Sequence, residues 1–173
     1  ADGIDIGALE ETLKTTDSVK FIYTIPNFQN PSGATMSLEK RERLYQLAKE
    51  YGVIVLEDNP YGDLRVDGEN VPAIKSMDTD GIVVYAGSFS KILAPGLRVA
   101  YCCGPKQILA KMTVGKQASD VHTPCLNQMI VNEWFKSYDV DAHITKIQGI
   151  YRKRLNLMCD AIDRELGGFV EYV

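Results

Sequence analysis

The stretch that decides the fold is Ile82–Lys91, which reads IVVYAGSFSK. Its first six residues are apolar or small, and Gly81 precedes them. Such a run is typical of a strand that is buried on both faces of a sheet. The polar run Ser88–Lys91 follows it abruptly. Because open α/β sheets bind ligands outside the carboxyl ends of their strands, this order predicts that the Lys91 amine takes part in chemistry.

A second polar group follows the same strand and indicates a phosphate site. Arg98 comes directly after the turn Leu93–Leu97, and Ser88 and Ser90 flank the strand end. Hydroxyl groups donate hydrogen bonds, and the planar guanidinium group binds oxyanions through two parallel bonds. We therefore predict that the two serines and Arg98 form a phosphate-binding group beside Lys91.

The rest of the chain alternates between strand and helix patterns. Ser37 is an N-cap candidate for a helix that ends at Gly52. The connection between the third and fourth strands is too short for a helical crossover, so the fourth strand should run antiparallel to the third. The four predicted strands are Val19–Ile25, Val53–Leu56, Ile82–Gly87 and Leu97–Cys103.

Three helices are predicted after the last strand. Pro105 at the first helical position opens one helix, and Pro124 opens the next. Apolar residues then recur at helical spacing over 140–166, and Gly167 and Gly168 end that long amphipathic helix.

Composition excludes several classes of protein. The chain has 173 residues, is 45% apolar and carries a net charge of -4 with acids and bases interspersed, which favours a soluble globular protein without a nucleic-acid or membrane surface. The basic clusters at 40–43 and 152–154 are expected on solvated helix faces.

The cysteines form no CxxC pair and predict buried free thiols in a reducing cytoplasm. They are Cys102, Cys103, Cys125 and Cys159.

Two further motifs follow the first two strands. Asn30–Gly33 reads Asn-Pro-Ser-Gly, and Asp58–Tyr61 reads Asp-Asn-Pro-Tyr. Each is also ordinary turn chemistry when taken alone. Because parallel strands bring their carboxyl ends to one edge of a sheet, we expect Asn30, Asp58 and Lys91 to meet there.

Taken in order, these motifs resemble the class I and II aminotransferases, which are fold-type I enzymes that use pyridoxal phosphate. The resemblance rests on Ser-x-Ser-Lys followed by Pro-Gly-Leu-Arg, with Asn-Pro-Ser-Gly and Asp-x-x-Tyr before them. It implies a three-layer α/β fold with a mainly parallel sheet and one antiparallel strand, the four strands lying side by side in chain order. The run from Lys116 to Gln128 further resembles the 2-aminoadipate and kynurenine branch.

The resemblance also implies a role for each candidate residue and implies no metal. Lys91 forms an imine with pyridoxal phosphate and moves a proton between Cα and C4′. Asp58 keeps the pyridine nitrogen protonated, and Tyr61 and Asn30 bind the phenolic oxygen of the ring. The implied phosphate ligands are Ser88, Ser90 and Arg98. The substrates would be an amino acid and a 2-oxo acid, in the cytoplasm.

By the same resemblance, the chain is the central part of a longer protein. Residues 1–138 would belong to the cofactor-binding large domain, 139–168 to a helix that links the domains, and 169–173 to the start of a small domain. The family's glycine-rich phosphate turn, ring-stacking aromatic residue and substrate-binding arginine fall outside the chain. A phosphate-binding tyrosine comes from a second subunit. We therefore expect a homodimer in the intact protein and an inactive isolated segment.

Two other functions compete with the enzyme. A transcription regulator can carry an aminotransferase-like domain that senses the cofactor, with a winged-helix segment upstream. A phospho-acceptor receiver domain also ends successive strands with Asp, Ser and Lys. Receivers need an acidic pair after the first strand to hold Mg²⁺, whereas this chain has Asn27 and Asn30 there, which disfavours that class.

Overall fold

The computed structural model describes residues 2–170, which form four strands and five α-helices. The strands are β1 (Phe21–Thr24), β2 (Ile54–Asp58), β3 (Val83–Ser88) and β4 (Ala100–Cys103). The helices are α1 (Ile6–Thr15), α2 (Leu38–Glu50), α3 (Lys106–Ser119), α4 (Cys125–Ser137) and α5 (Val140–Leu166). Short 3-10 turns cover Gly62–Leu64, Ile74–Met77 and Pro95–Leu97.

The sheet has the order β1-β2-β3-β4. β1 pairs with β2 and β2 with β3 in parallel, whereas β3 and β4 are antiparallel, with Ser88 opposite Ala100. The predicted α/β class, the strand order and the antiparallel fourth strand are therefore confirmed. β1 and β4 are shorter than predicted, whereas β2 begins one residue later and ends two residues later, and β3 is shifted by one residue.

The helix α2 begins and ends where the local sequence predicts. The Ser37 side chain accepts a hydrogen bond from the N–H of Lys40, which satisfies one of the unpaired donors of the first turn. Gly52 follows the last turn with a φ of 66°, a left-handed conformation that glycine adopts without strain. This reversal brings the chain directly into β2.

The core lies between one face of the sheet and α2. Its central side chains have no exposed surface and come from both layers, namely Leu44, Leu47, Val55 and Val83. Burial alternates along β1, where Ile22 and Thr24 are buried and Phe21 and Tyr23 are exposed. Side chains alternate across a strand, so Phe21 and Tyr23 lie together on the opposite face of the sheet. We call this surface the open face.

The predicted exposure of four residues is wrong. Arg41, expected on a solvated helix face, is completely buried, because the loops at 26–36 and 71–72 fold over it. Cys102 and Cys103 are exposed, because β4 is the last strand of the described sheet and all its residues are exposed. Cys125 is exposed as well, while Cys159 is partly buried.

The later helices agree with the sequence patterns apart from their starts. α3 and α4 begin one residue after the prolines, which occupy the N-cap positions. The long helix spans the predicted residues 140–166, and Gly167 caps it. The predicted small-domain start at 169–173 falls partly on residues 171–173, which lie outside the described part. Across residues 2–170, no helix combines the length and apolar character needed to cross a bilayer.

Candidate active site

The carboxyl ends of the parallel strands meet at one edge of the sheet. β2 ends at Asp58, which lies opposite Ala86 of β3, and β3 ends two residues later at Ser88. Asn30 lies in the loop that follows β1 and is exposed. The predicted site residues thus follow three adjacent strands at the same end of the sheet.

Asp58 is hydrogen-bonded to a residue that the sequence patterns did not indicate. The hydroxyl group of Tyr23 donates a 2.7 Å hydrogen bond to Oδ2 of Asp58. This bond to the carboxylate, with burial and the negative charge as lesser causes, raises the pKa of Tyr23 to about 12. The phenol therefore stays protonated at neutral pH and remains a donor to Asp58. Only the pairing register of β1 and β2 could have revealed this contact, because the residues are 35 positions apart.

Asn59, the next residue, fixes the turn that carries Tyr61. Its Oδ1 accepts a 2.9 Å hydrogen bond from the Asn27 side chain, and its Nδ2 donates a 2.9 Å bond to the Tyr85 hydroxyl group. Its backbone N–H donates to the carbonyl of Ala86 on β3. Hydrogen bonds to Asn27, Tyr85 and Ala86 therefore fix the Asp58–Tyr61 turn within the protein itself.

Lys91 and Tyr61 lie close together. The Lys91 Nζ atom is 5.8 Å from the centre of the Tyr61 ring, within the range of a cation–π contact. Lys91 is exposed and Tyr61 is partly buried. The amine that follows β3 thus lies beside the phenol that follows β2, as expected from the strand order.

The connection from β3 to β4 brings the two serines together. The Ser90 N–H donates a 3.1 Å hydrogen bond to Oγ of Ser88, and the Phe89 N–H donates to the carbonyl of Val99. Arg98 has a left-handed φ of 54° after the 3-10 turn, and its guanidinium group donates to the carbonyl of Pro95. Arg98 is therefore folded against its own turn and exposed, rather than bonded to either serine.

Two helices hold this connection in place. Asn127 of α4 donates a 2.8 Å hydrogen bond to the carbonyl of Leu97, next to Arg98. His143 of α5 has Nε2 at 2.9 Å from the carbonyl of Ile92, next to Lys91. Neither contact was predicted, since both depend on how α4 and α5 pack back on the sheet.

The loop that carries Asn30 is anchored by the buried Arg41. Arg41 donates from Nη2 to the carbonyl of Pro26 and to Oδ1 of Asn27, at one end of the loop. It donates from Nε to the carbonyl of Met36 at the other end. Both ends of the loop are thereby fixed on the first turn of α2.

The same order of motifs and strands is found in a known protein family. The pattern of the family described as aminotransferase class I and II matches residues 2–171 of this chain. The chain belongs to this family. It is 41% identical to aromatic-amino-acid aminotransferase 1 of Thermococcus litoralis over 166 residues. This alignment covers 94% of this chain and 40% of that protein. It is 39% identical over 174 residues to 2-aminoadipate transaminase of Thermus thermophilus, covering 99% of this chain and 43% of that protein.

A solved structure gives the same assignment. The crystal structure of Pyrococcus horikoshii kynurenine aminotransferase in complex with PMP superimposes with a TM-score of 0.93 at 39% identity, covering 99% of this aminotransferase chain and 44% of that one. The predicted family and its 2-aminoadipate and kynurenine branch are therefore confirmed. A weaker relative, 31% identical over 163 residues, is an uncharacterized HTH-type transcriptional regulator of Bacillus subtilis. The chain spans about two fifths of the length of the first two relatives.

Proposed function

We propose that this chain is the central part of an aminotransferase that uses pyridoxal phosphate to move an amino group between an amino acid and a 2-oxo acid. One observation carries the proposal: Asp58 and Lys91 follow adjacent parallel strands, and Tyr61 lies beside the Lys91 amine. A carboxylate, a phenol and an amine at one sheet edge match the three parts of the cofactor ring that need partners.

The donor set fits the cofactor. Tyr23 binds Oδ2 of Asp58, and we assign Oδ1 of Asp58 to the ring nitrogen. Tyr61 and Asn30 are assigned to the phenolic oxygen. The Ser90 N–H donates to the Ser88 hydroxyl group, and we assign the phosphate to the two serine hydroxyl groups and to Arg98, whose exposed side chain can leave the Pro95 carbonyl. Hydroxyl and guanidinium donors suit a phosphate dianion.

Each residue then has a chemical task. Pyridoxal phosphate, when bound, supplies an electron sink that stabilises negative charge at the substrate Cα. The Lys91 Nζ atom would be the point of covalent attachment and, when it is a free amine, would accept the proton that leaves this Cα. The Asp58 carboxylate would keep a proton on the ring nitrogen, because an ionised acceptor stabilises a cationic donor.

Borohydride reduction tests the assignment of Lys91. The intact protein that contains this chain, incubated with pyridoxal phosphate, reduced and digested, should carry the pyridoxyl adduct on the peptide with Lys91. A Lys91→Arg variant should carry none, whereas Lys106→Arg, at the start of α3, should be labelled like the wild type. An adduct on a different lysine, with Lys91 unmodified, would contradict the proposal.

The finer assignments belong to the same proposal. We retain the division into large domain (1–138), linking helix (139–168) and small domain (from 169), supported by the uninterrupted helix α5 between the two parts. We also propose a cytoplasmic homodimer: the family resemblance implies the dimer, and the four free cysteines support a reducing compartment. The isolated segment should be inactive.

A cofactor-sensing regulator is the second candidate, favoured by the regulator among the weaker relatives. It would show the same adduct on Lys91 but no turnover. Amino-group transfer from 2-aminoadipate or an aromatic amino acid to 2-oxoglutarate, measured in the intact protein, separates the two functions.

A further inference from the structure

The contact between Tyr23 and Asp58 joins two neighbouring strands on the open face of the sheet. Tyr23 lies opposite Leu56 in the β1–β2 register, and Asp58 is two residues further along β2. Residues two apart on a strand share a face and are about 6.6 Å apart along it. A phenol is long enough to cover that distance, so its hydroxyl group reaches the carboxylate from the side, at 2.7 Å from Oδ2.

We propose that Tyr23 is a positioning residue for the cofactor site, which holds the Asp58 carboxylate in one rotation so that Oδ1 faces the ring nitrogen. The inference rests on the function proposed above and deepens it. When one oxygen of a carboxylate is hydrogen-bonded, the carboxylate rotates less and its second oxygen keeps one direction. Supporting hydrogen bonds at functional sites usually have this orienting effect.

The neutral charge of the Tyr23 hydroxyl group matters as much as its position beside Asp58. A lysine or arginine at this position would form an ion pair with Asp58 and compete with the ring nitrogen for its negative charge. Tyr23 remains a neutral donor at physiological pH, since its pKa is raised to about 12, chiefly by the bond to Asp58. Cys102, across β3 on the same face, is also held neutral, because burial and then the charge of Asp58 raise the pKa of its thiol. The groups on both sides of Asp58 therefore leave its charge available.

Side-chain packing does not explain why position 23 carries a tyrosine hydroxyl group. In the described chain its side chain is on the open face and 52% of the residue is exposed, so the hydroxyl group is not a buried donor that requires a partner. Phe21, two residues earlier on the same face and 57% exposed, shows that an aromatic ring without a hydroxyl group is accommodated there. The hydroxyl group itself is the feature that needs an explanation, and Asp58 supplies it.

The test uses the intact protein and compares Tyr23→Phe with Tyr138→Phe, which removes an exposed hydroxyl group at the end of α4. The readouts are the Kd for pyridoxal phosphate and the absorption spectrum of the bound cofactor as a function of pH. Tyr23→Phe should weaken binding at least about tenfold, the lower end of what one hydrogen bond to a charged group contributes. It should also shift the pH dependence of the spectrum, whereas Tyr138→Phe should change neither.

An Asp58→Asn background shows whether the effect passes through Asp58. There, Tyr23→Phe should cause no further change in the spectrum or in Kd, because the carboxylate that it positions is gone. A general loss of folding would reduce binding equally in both backgrounds and would overturn the inference.

The two proposals fail separately. If borohydride labels Lys91 but Tyr23→Phe matches the wild type in Kd and spectrum, the role of Tyr23 is refuted and the proposed function stands. If the wild-type protein forms no adduct with pyridoxal phosphate, both are refuted.

Discussion

The buried Arg41 donates a 2.7 Å hydrogen bond from Nη2 to Oδ1 of Asn27, and this bond connects α2 to the edge of the candidate site. Asn27 in turn donates to Asn59, within the Asp58–Tyr61 turn. Arg41 makes five hydrogen bonds in all, four of them to backbone carbonyls. Burial lowers its pKa, yet the guanidinium group stays charged and fully bonded.

Arg41→Lys should destabilise the protein, because an ammonium group cannot reproduce the planar fork of donors that these carbonyls surround. We expect the free energy of unfolding to fall by about 3 kcal/mol in urea denaturation, the usual cost of leaving buried polar groups unpaired. Arg43→Lys, in a partly exposed ion pair with Glu10, is the matched control and should change stability by less than about 0.5 kcal/mol. Equal effects in the two variants would show that Arg41 is not an anchor.

Asp58→Asn should separate cofactor binding from turnover. The amide cannot keep a proton on the ring nitrogen, so the substrate carbanion loses its electron sink, while Lys91 still attaches the cofactor. Transamination should fall at least about a hundredfold, equivalent to about 2.7 kcal/mol in the barrier. Reduction with borohydride should still label Lys91. A variant that transaminates at the wild-type rate would remove Asp58 from the mechanism.

The Tyr23 hydroxyl group should titrate differently in that same variant. Since hydrogen bonding to Asp58 is the main cause that raises the pKa of Tyr23 to about 12, Asp58→Asn should return it towards its ordinary value of 10.0. The stabilisation from the protonated phenol is complete below pH 10 and is lost as pH rises through about 12. At about pH 11, NMR of labelled tyrosine should therefore find Tyr23 mostly protonated in the wild type and mostly ionised in the variant. The same ionisation in both would rule out the bond.

Acid stability should depend on Asp78, which precedes β3. Burial opposes ionisation of this carboxylate, but hydrogen bonds from Lys75 and from the N–H groups of Ile82 and Val83 outweigh it and lower the pKa of Asp78 to about 2. Its contribution is present above the ordinary pKa of 3.8 and disappears as pH falls through about 2.

Asp78→Asn should therefore cost about 2 kcal/mol at neutral pH, measured by urea denaturation. The difference from the wild type should shrink below about pH 4. Asp120→Asn, which breaks an exposed ion pair with Lys116, should cost less than about 0.5 kcal/mol throughout. A constant difference between Asp78→Asn and wild type down to pH 2 would contradict the assignment.

The sequence predicted those parts of the fold that depend on neighbouring residues. The apolar run before Lys91 gave β3, and its short connection gave an antiparallel β4. The Ser37 cap and Gly52 defined α2, because capping depends on groups within one turn. The site motifs followed from the same rule, since each lies at the carboxyl end of its strand or in the loop that follows it.

Contacts between distant segments were not predictable in this way. Arg41 lies in a charged helix pattern that looks like any solvated face until two separate loops close over it. The bond from Tyr23 to Asp58 requires the register of β1 on β2, which local periodicity does not define. The cysteines of β4 were expected to be buried free thiols because they form no CxxC pair, but β4 is the last strand of the described sheet.

The β3–β4 hairpin can form earlier in folding than the pairing of β1 with β2, so the two parts of the site need not form at the same time. Ser88 and Ala100 pair across 12 positions, whereas Thr24 at the end of β1 and Ile54 at the start of β2 are 30 positions apart. By loop-closure entropy alone, the longer connection costs about 0.8 kcal/mol more to close. The lysine and the serines can therefore reach native contacts by local chain closure, and the groups assigned to the ring join them later. Pulsed hydrogen exchange during refolding should protect the amides of β3 and β4 before those of β1, and simultaneous protection would contradict this sequence of events.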